Sequence, residues 1–468
     1  MVSVSGLRGI VGASLTPEVI ARYAGAWGRM VGGQWAVGNG GRGRNPVIVI
    51  GRDGRRGGDA VERIAAGALA MVGCDVVRLG VAMTATVGIA VHHREAAGGL
   101  VVTASHNPGE WNGLKPITPE GSAPMPEVAA RLVEAFHRGD PAWAGAANVG
   151  EIEDDRGATE FHVRRVIAAV ARITPLQLIR DRRFRVVVDS VNASGVAGAR
   201  LLLEELGCNV THLHNESSGV FPHTPEPTEE NLGELCEAVR RAGADIGFAQ
   251  DPDADRLAIV DSDGSYIGEE YTLVLGAMAV LESMPPRDAA QAVLAANLST
   301  SRMLDDVAHR YEARVVRTPV GEANVVSGMR GAGAAVGGEG NGGVIWPAVG
   351  QIRDSLVGMA LTVALMARRG AVQEIVASVP RYAIVKRKFP FAPGMEARIT
   401  EALQGLFPGA RADAQDGLRL DFDAPSGAGK AWVHARKSNT EPIFRIIVEA
   451  PTKADAAAIA ERAVGVAG

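Results

Sequence analysis

The sequence predicts three related α/β domains with mixed or mostly parallel sheets, followed by a smaller C-terminal α+β domain. Three observations lead there. Strand-like apolar runs alternate with helix-spaced segments in three successive stretches. These stretches share a plan without any residue-level repeat. The last stretch departs from the alternation and becomes rich in strands. The expected domains are residues 1–152, 153–262, 263–377 and 378–468.

Taken in order, Thr16 can cap a helix whose first position is Pro17. Residues 32–44 are glycine-rich and are expected as a loop. Residues 46–50 and 74–79 read as strands, with helical spacing over 59–72 between them. The apolar run 99–102 reads as a buried strand that delivers Ser105 at its end. Residues 140–155 are rich in glycine, alanine and acids and are expected as a boundary. The second stretch offers strands at 184–188, 209–213 and 245–249 and helices at 197–206 and 232–242. Prolines recurring through 222–227 exclude a helix there. The third offers strands at 292–296 and 314–317 and a helix at 301–309. The apolar run 356–367 is too short to cross a bilayer and is read as a buried helix. The last stretch has helices at 395–407 and 453–464 and strands at 417–422, 431–435 and 444–449.

A chain of 468 residues suggests roughly three or four domains. Its formal charge of −5 argues against a nucleic-acid partner. Cys74, Cys208 and Cys236 are scattered and form no metal or disulfide framework. No signal peptide or membrane span is indicated, so the expectation is a soluble, cytoplasmic protein with no membrane partner, as a monomer or homodimer.

Four loops carry chemistry. Asn107-Pro108 enforces a turn after Ser105, so the hydroxyl can face a cleft while backbone N–H groups cradle a phosphate. A polar turn without function is the alternative. Asp251, Asp253 and Asp255 alternate along the chain, and three such carboxylates repel one another unless a cation relieves them. A solvated acidic turn or a Ca²⁺ loop would look similar, although the EF-hand offsets are absent. Arg436, Ser438, Asn439 and Thr440 lie within a few residues and make an anion cradle, or a polar hairpin loop. Glu339 and Asn341 sit among glycines, where they could meet sugar hydroxyls or belong to a linker.

Together these stretches resemble the α-D-phosphohexomutase family. Thr103-Ala104-Ser105-His106-Asn107-Pro108 resembles its phosphoserine loop, Asp251-Pro252-Asp253-Ala254-Asp255-Arg256 its metal loop, Gly338-Glu339-Gly340-Asn341-Gly342-Gly343 its sugar loop, and residues 436–442 its phosphate-binding loop. Gly6-Leu7-Arg8-Gly9 and Gly51-Arg52-Asp53 also sit where members carry similar motifs. The resemblance covers essentially the whole chain and implies four domains around a central cleft. It implies a phosphorylated Ser105 that, with Asp251, Asp253 and Asp255, would hold Mg²⁺. It gives Arg8, Lys115, His106 and Arg256 catalytic parts, with Lys115 a candidate acid/base, and Glu339, Asn341, Arg436, Ser438, Asn439 and Thr440 substrate-binding parts. The implied reaction moves phosphate between C1 and C6 of a hexose phosphate through a hexose 1,6-bisphosphate, which also serves as activator. Glucosamine 6-phosphate going to glucosamine 1-phosphate is the leading substrate pair. Mannose and glucose phosphates, or a non-catalytic sugar-phosphate-binding protein, are the alternatives. Pro252 and Ala254 stand where many relatives have glycine, and Asn341 and Gly343 where many have serine and histidine.

Overall fold

The computed structural model describes residues 2–3, 5–38, 45–139, 141–392, 394–438 and 443–466. Its first sheet has seven strands, in spatial order Val2–Ser3, Gly6–Ile10, Trp111–Ile117, Gly98–Val102, Val47–Arg52, Asp75–Val81 and Ile152–Asp154. The first three pairings are antiparallel and the last three parallel. The second sheet runs Leu257–Asp261, Ile246–Gln250, Arg185–Asp189, Asn209–Leu213, and the third Arg314–Thr318, Val293–Asn297, Val336–Glu339, Gly343–Ile345.

One plan underlies all three. In each, two parallel pairings surround the first long strand, and a fourth strand returns antiparallel to the third. Parallel neighbours need crossover connections, supplied by helices such as Gly58–Met71, Gly195–Glu205 and Met303–Arg310. The step from third to fourth strand needs only a short turn. The loops carrying Ser105, the three aspartates and Asn341 all occupy that one slot, beyond the carboxyl ends of the parallel strands. Strands Gly98–Val102, Ile246–Gln250 and Val293–Asn297 are buried throughout, which explains why they are small and apolar up to the polar Gln250 and Asn297 that end the last two.

The fourth sheet is antiparallel, in order Ala383–Pro390, Ile443–Ala450, Lys430–Lys437, Leu418–Asp423, Arg411–Asp413, with helices Met395–Leu406 and Lys453–Gly465. The largest apolar cluster joins the second and third units, with Val166, Phe248, Leu273 and Leu361 as members. Helix Ser355–Arg369 lies in it, buried from Ser355 to Ala367, against the equally buried Glu270–Leu281. Among the described residues no helix is long and apolar enough to cross a membrane.

One expectation is corrected. Residues 32–38 are not loop: the first helix runs Pro17–Gly38, while 39–44 lie outside the described residues. Gly28 and Gly32 in it serve close packing, since a Cβ at Gly28 would sit 2.9 Å from Leu69 and Val72 side-chain carbons and one at Gly32 3.0 Å from a Pro46 carbon. Within 140–155, Ile152–Asp154 forms an edge strand on Asp75–Val81.

Candidate active site

The turn after strand Gly98–Val102 is held by a buried ion pair. Arg55 Nε donates to Asp53 Oδ2 at 2.8 Å, and its Nη2 donates to the Ser105 carbonyl at 2.6 Å. Thr103 Oγ1 donates to Asp53 Oδ2 and accepts from the Ser105 N–H, at 2.7 and 2.8 Å. These contacts keep Ser105 in the left-handed region, φ 50°, a conformation that costs a side-chain-bearing residue on the order of 1 kcal/mol. The serine is buried, and its Oγ donates to Asp251 Oδ2 at 3.1 Å.

The three aspartates have no solvent exposure. Their turn is tied from three sides: Thr84 N to the Asp253 carbonyl, Ser194 Oγ to that of Pro252, and Ser355 Oγ to that of Ala254. One oxygen from each aspartate lies within 4.8 Å of the others, so the group can hold a metal ion. Thr84 Oγ1 donates to Asp253 Oδ2 at 2.6 Å, and Lys115 Nζ and Arg353 Nη2 donate to Asp255 Oδ2 at 2.8 and 2.6 Å. Asp253 Oδ1 and Asp255 Oδ1 are buried without a hydrogen-bond partner, a costly state that a coordinated cation would relieve. Burial, then the charges of Asp253 and Asp255, push the Asp251 carboxyl well above the carboxylate range. Burial acts on Asp255 in the same direction, but Arg353, Lys115 and Arg256 outweigh it and hold that group low. An all-carboxylate set of this kind suits a hard divalent ion such as Mg²⁺.

The expected cations gather here. Arg8, on the strand beside Trp111–Ile117, donates to Asn107 Oδ1 at 2.9 Å. Lys115 Nζ also lies 3.5 Å from Asp253 Oδ2 and 3.8 Å from Glu322 Oε2. Burial works against the Lys115 ammonium, yet Asp255, Asp253 and Glu322 raise its pKa above the ordinary lysine value. The Arg256 N–H donates to Asp251 Oδ1 at 3.2 Å, and its guanidinium lies 3.6 Å from Glu226 Oε1. His106 Nδ1 is 3.3 Å from Ser105 Oγ. The charge of Arg256, then burial and Arg8, depress the His106 imidazole to about 2, so it is neutral here.

Glu339 and Asn341 meet the aspartate turn through Arg353. Glu339 Oε2 and Asn341 Oδ1 accept from Arg353 Nη1 at 2.9 and 3.4 Å, while Glu339 Oε1 accepts from Asn297 Nδ2 and the Gly321 N–H. Arg436 Nε donates to Asp416 Oδ2 at 2.7 Å, and the same oxygen accepts from the Val320 N–H at 2.9 Å. Arg436 Nη2 is a buried donor without a partner, and the Ser438 N–H donates to the Ile443 carbonyl. Asn439 and Thr440 lie outside the described residues.

Sequence reasoning passed over Arg353, Glu322, Glu226 and Asp416. Arg353 touches both loops and receives Glu322 twice, at its N–H (2.9 Å) and at its Nε (3.4 Å). The only local signal is Asp354, whose side chain caps the following helix. Glu226, in the proline-rich turn, faces His106 and Arg256.

Four family descriptions match successive parts of the chain: phosphoglucomutase/phosphomannomutase alpha/beta/alpha domain I over residues 2–143, domain II over 164–264, domain III over 268–382 and the C-terminal domain over 385–466. The chain is 35% identical over 451 residues to a Thermococcus kodakarensis protein named phosphoglucomutase/phosphomannomutase, covering 96% of this chain and 94% of that protein. It is 34% identical over 459 residues to a Methanopyrus kandleri protein named "Probable phosphoglucosamine mutase", covering 96% and 93%. A crystal structure of a phosphoglucomutase/phosphomannomutase family protein from Burkholderia thailandensis superposes with a TM-score of 0.82 at 26% identity, covering 100% of this chain and 98% of that one.

Proposed function

This chain belongs to the phosphoglucomutase/phosphomannomutase family of phosphohexomutases, and on that premise we propose that Ser105 is its phosphoryl carrier and glucosamine phosphate its preferred substrate. The observation that carries the first part is the seryl Oγ donating to Asp251, beside two buried carboxylate oxygens that lack partners. Asp251, Asp253 and Asp255, with the phosphoserine, would hold Mg²⁺, which when bound supplies positive charge to the transferring group. Arg8, Arg256 and Lys115 add charge along the same path, and Lys115 is the candidate proton carrier. Attack by a sugar hydroxyl oxygen on the phosphoserine breaks the seryl O–P bond and forms a sugar O–P bond, while the hydroxyl's proton ends on the freed Ser105 oxygen, giving a hexose 1,6-bisphosphate. The bisphosphate turns over in the cleft, and its other phosphoryl returns to Ser105. Arg436 and Ser438, with Asn439 and Thr440, would grip the phosphate that is not reacting. Its unpartnered buried Nη2 supports that part for Arg436.

Ser105→Ala is expected to abolish turnover, by at least about 10⁴-fold, while circular dichroism and the unfolding midpoint stay near wild type. Full activity in that variant would remove the phosphoserine from the scheme. The preference for glucosamine phosphate rests on the Glu-Gly-Asn-Gly-Gly form of the sugar loop, which resembles the phosphoglucosamine mutase branch. The Ser-Asn-Thr-Glu-Pro loop favours mannose or glucose phosphate as the second reading. Catalytic efficiencies measured side by side on the three sugar 1-phosphates, with a trace of the matching 1,6-bisphosphate, decide between them. Glucosamine 1-phosphate is expected to be used best.

A further inference from the structure

A second convergence of ligand-type side chains lies in the second unit, apart from the aspartate turn. Asp189 ends strand Arg185–Asp189 and is buried. His214 follows strand Asn209–Leu213 in the left-handed region, φ 47°. His223 comes from the proline-rich loop. His214 Nδ1 lies 3.0 Å from Asp189 Oδ1 and His223 Nε2 2.9 Å from Asp189 Oδ2. One ligand atom from each of the three residues falls within 4.8 Å of the others.

The outer nitrogens supply a second, independent observation. His223 Nδ1 donates to the Thr224 carbonyl at 2.8 Å, and His214 Nε2 faces Glu234 Oε2 at 3.4 Å. A carbonyl or carboxylate on the outer nitrogen fixes the proton there and leaves the inner nitrogen as a ligand, the arrangement found around protein-bound metals. Each ring otherwise stands between two acceptors and needs a proton on both nitrogens to satisfy them. One cation at the centre answers both rings at once.

We propose that Asp189, His214 and His223 form a structural site for a divalent transition metal of the zinc class. Two imidazoles and one carboxylate favour such an ion over Mg²⁺, whereas the aspartate turn, with oxygen ligands alone, favours Mg²⁺. The ion would fasten the loop between His214 and His223 to the end of the strand. That loop braces the serine turn: a Cβ on Gly219 would fall 2.1 Å from the Gly54 carbonyl oxygen, and the Arg55 guanidinium lies 5.3 Å from the Phe221 ring centroid. Arg55 is the residue that holds the Ser105 carbonyl.

The full chain, stripped of metal and then saturated with Mg²⁺, is titrated with Co²⁺ and followed by visible absorption, with Zn²⁺ as competitor. One equivalent of Co²⁺ is expected to give ligand-field bands that excess Mg²⁺ leaves in place and Zn²⁺ removes. Those bands are expected to persist in Asp251→Asn/Asp253→Asn and to vanish in His214→Ala/His223→Ala. Glu234→Gln should weaken binding about 10-fold, and folding of every variant is checked by circular dichroism. His223→Cys, which keeps a metal-binding side chain, should retain a band, shifted by sulfur ligation. Absence of bands in the wild type, their displacement by Mg²⁺, or their survival in the double histidine variant would each overturn the site.

Discussion

Arg353 balances the charge of the cleft. It donates to Asp255 and Glu339 from the two ends of one planar group, and its pKa is driven up by Asp255, Glu322 and Glu339 against the opposing effect of burial. Arg353→Met fills similar volume and leaves buried carboxylates uncompensated. The expected loss is about 3–5 kcal/mol in denaturant unfolding. Arg353→Lys should recover only part of it, because an ammonium cannot span the two loops with a rigid fork. Glu270 gives a pH signature. Burial, reinforced by Glu449 and Glu269 and opposed by Lys386, lifts its carboxyl to about 8. The folded form therefore keeps a proton that the unfolded chain has already lost. The stability this contributes is complete below the ordinary glutamate range and is lost as pH rises toward 8. Glu270→Gln should raise the unfolding midpoint at pH 8 and change it little at pH 4, so equal shifts at both would remove this account.

At the scale of elements, the slot between the third and fourth strands decides where chemistry can sit. The loop carrying Asn341 closes it so tightly that a Cβ at Gly342, φ 84°, would lie 2.4 Å from the Leu257 carbonyl oxygen. One at Gly343 would lie 2.2 Å from Arg353 Cδ. Gly343→Ala must push Arg353 aside and with it Glu339. Catalytic efficiency is expected to fall about 10²-fold with secondary structure intact, since a misplacement near 1 Å is enough for that. Steady-state kinetics beside circular dichroism checks both halves.

Across the whole molecule, polar contacts run through all four units. Ser105 meets Asp251 within one aspartate turn, Asp255 in that turn meets Arg353, Arg353 meets Glu339, Glu339 meets Gly321, and neighbouring Val320 shares Asp416 with Arg436. Asp416 is one joint between the third and fourth units, beside the Ser299–His434 and Arg302–Glu449 contacts. Asp416→Ala should loosen the fourth unit's grip, raising KM about tenfold with a smaller change in kcat, near 1.4 kcal/mol of lost binding. A drop confined to kcat would place Asp416 elsewhere in the reaction. Removal of divalent ions by a chelator is expected to abolish turnover, and Mg²⁺ to restore it. Failure of Mg²⁺ to restore turnover even with Zn²⁺ added to refill the Asp189–His214–His223 group would count against the aspartate turn as the required metal site.

Much of this was legible in the linear chain. Residues 209–213 form the strand expected over the same bounds, and the apolar run 356–367 lies inside the buried helix Ser355–Arg369. Ser105 and the three aspartates, which the fold brings together, also stand out in the chain, because a turn and an acidic alternation are written in neighbouring residues. Residues 32–38 were misread, because composition does not say that the helix continues through them; at Gly32 a Cβ would meet a Pro46 carbon at 3.0 Å. Arg353, Glu322, Glu226 and Asp416 carry no motif. Local backbone preference and ligand type act over a few residues and are readable from order alone. Compensation of buried charge acts through space, between positions that only the packing of four sheets brings within 4 Å.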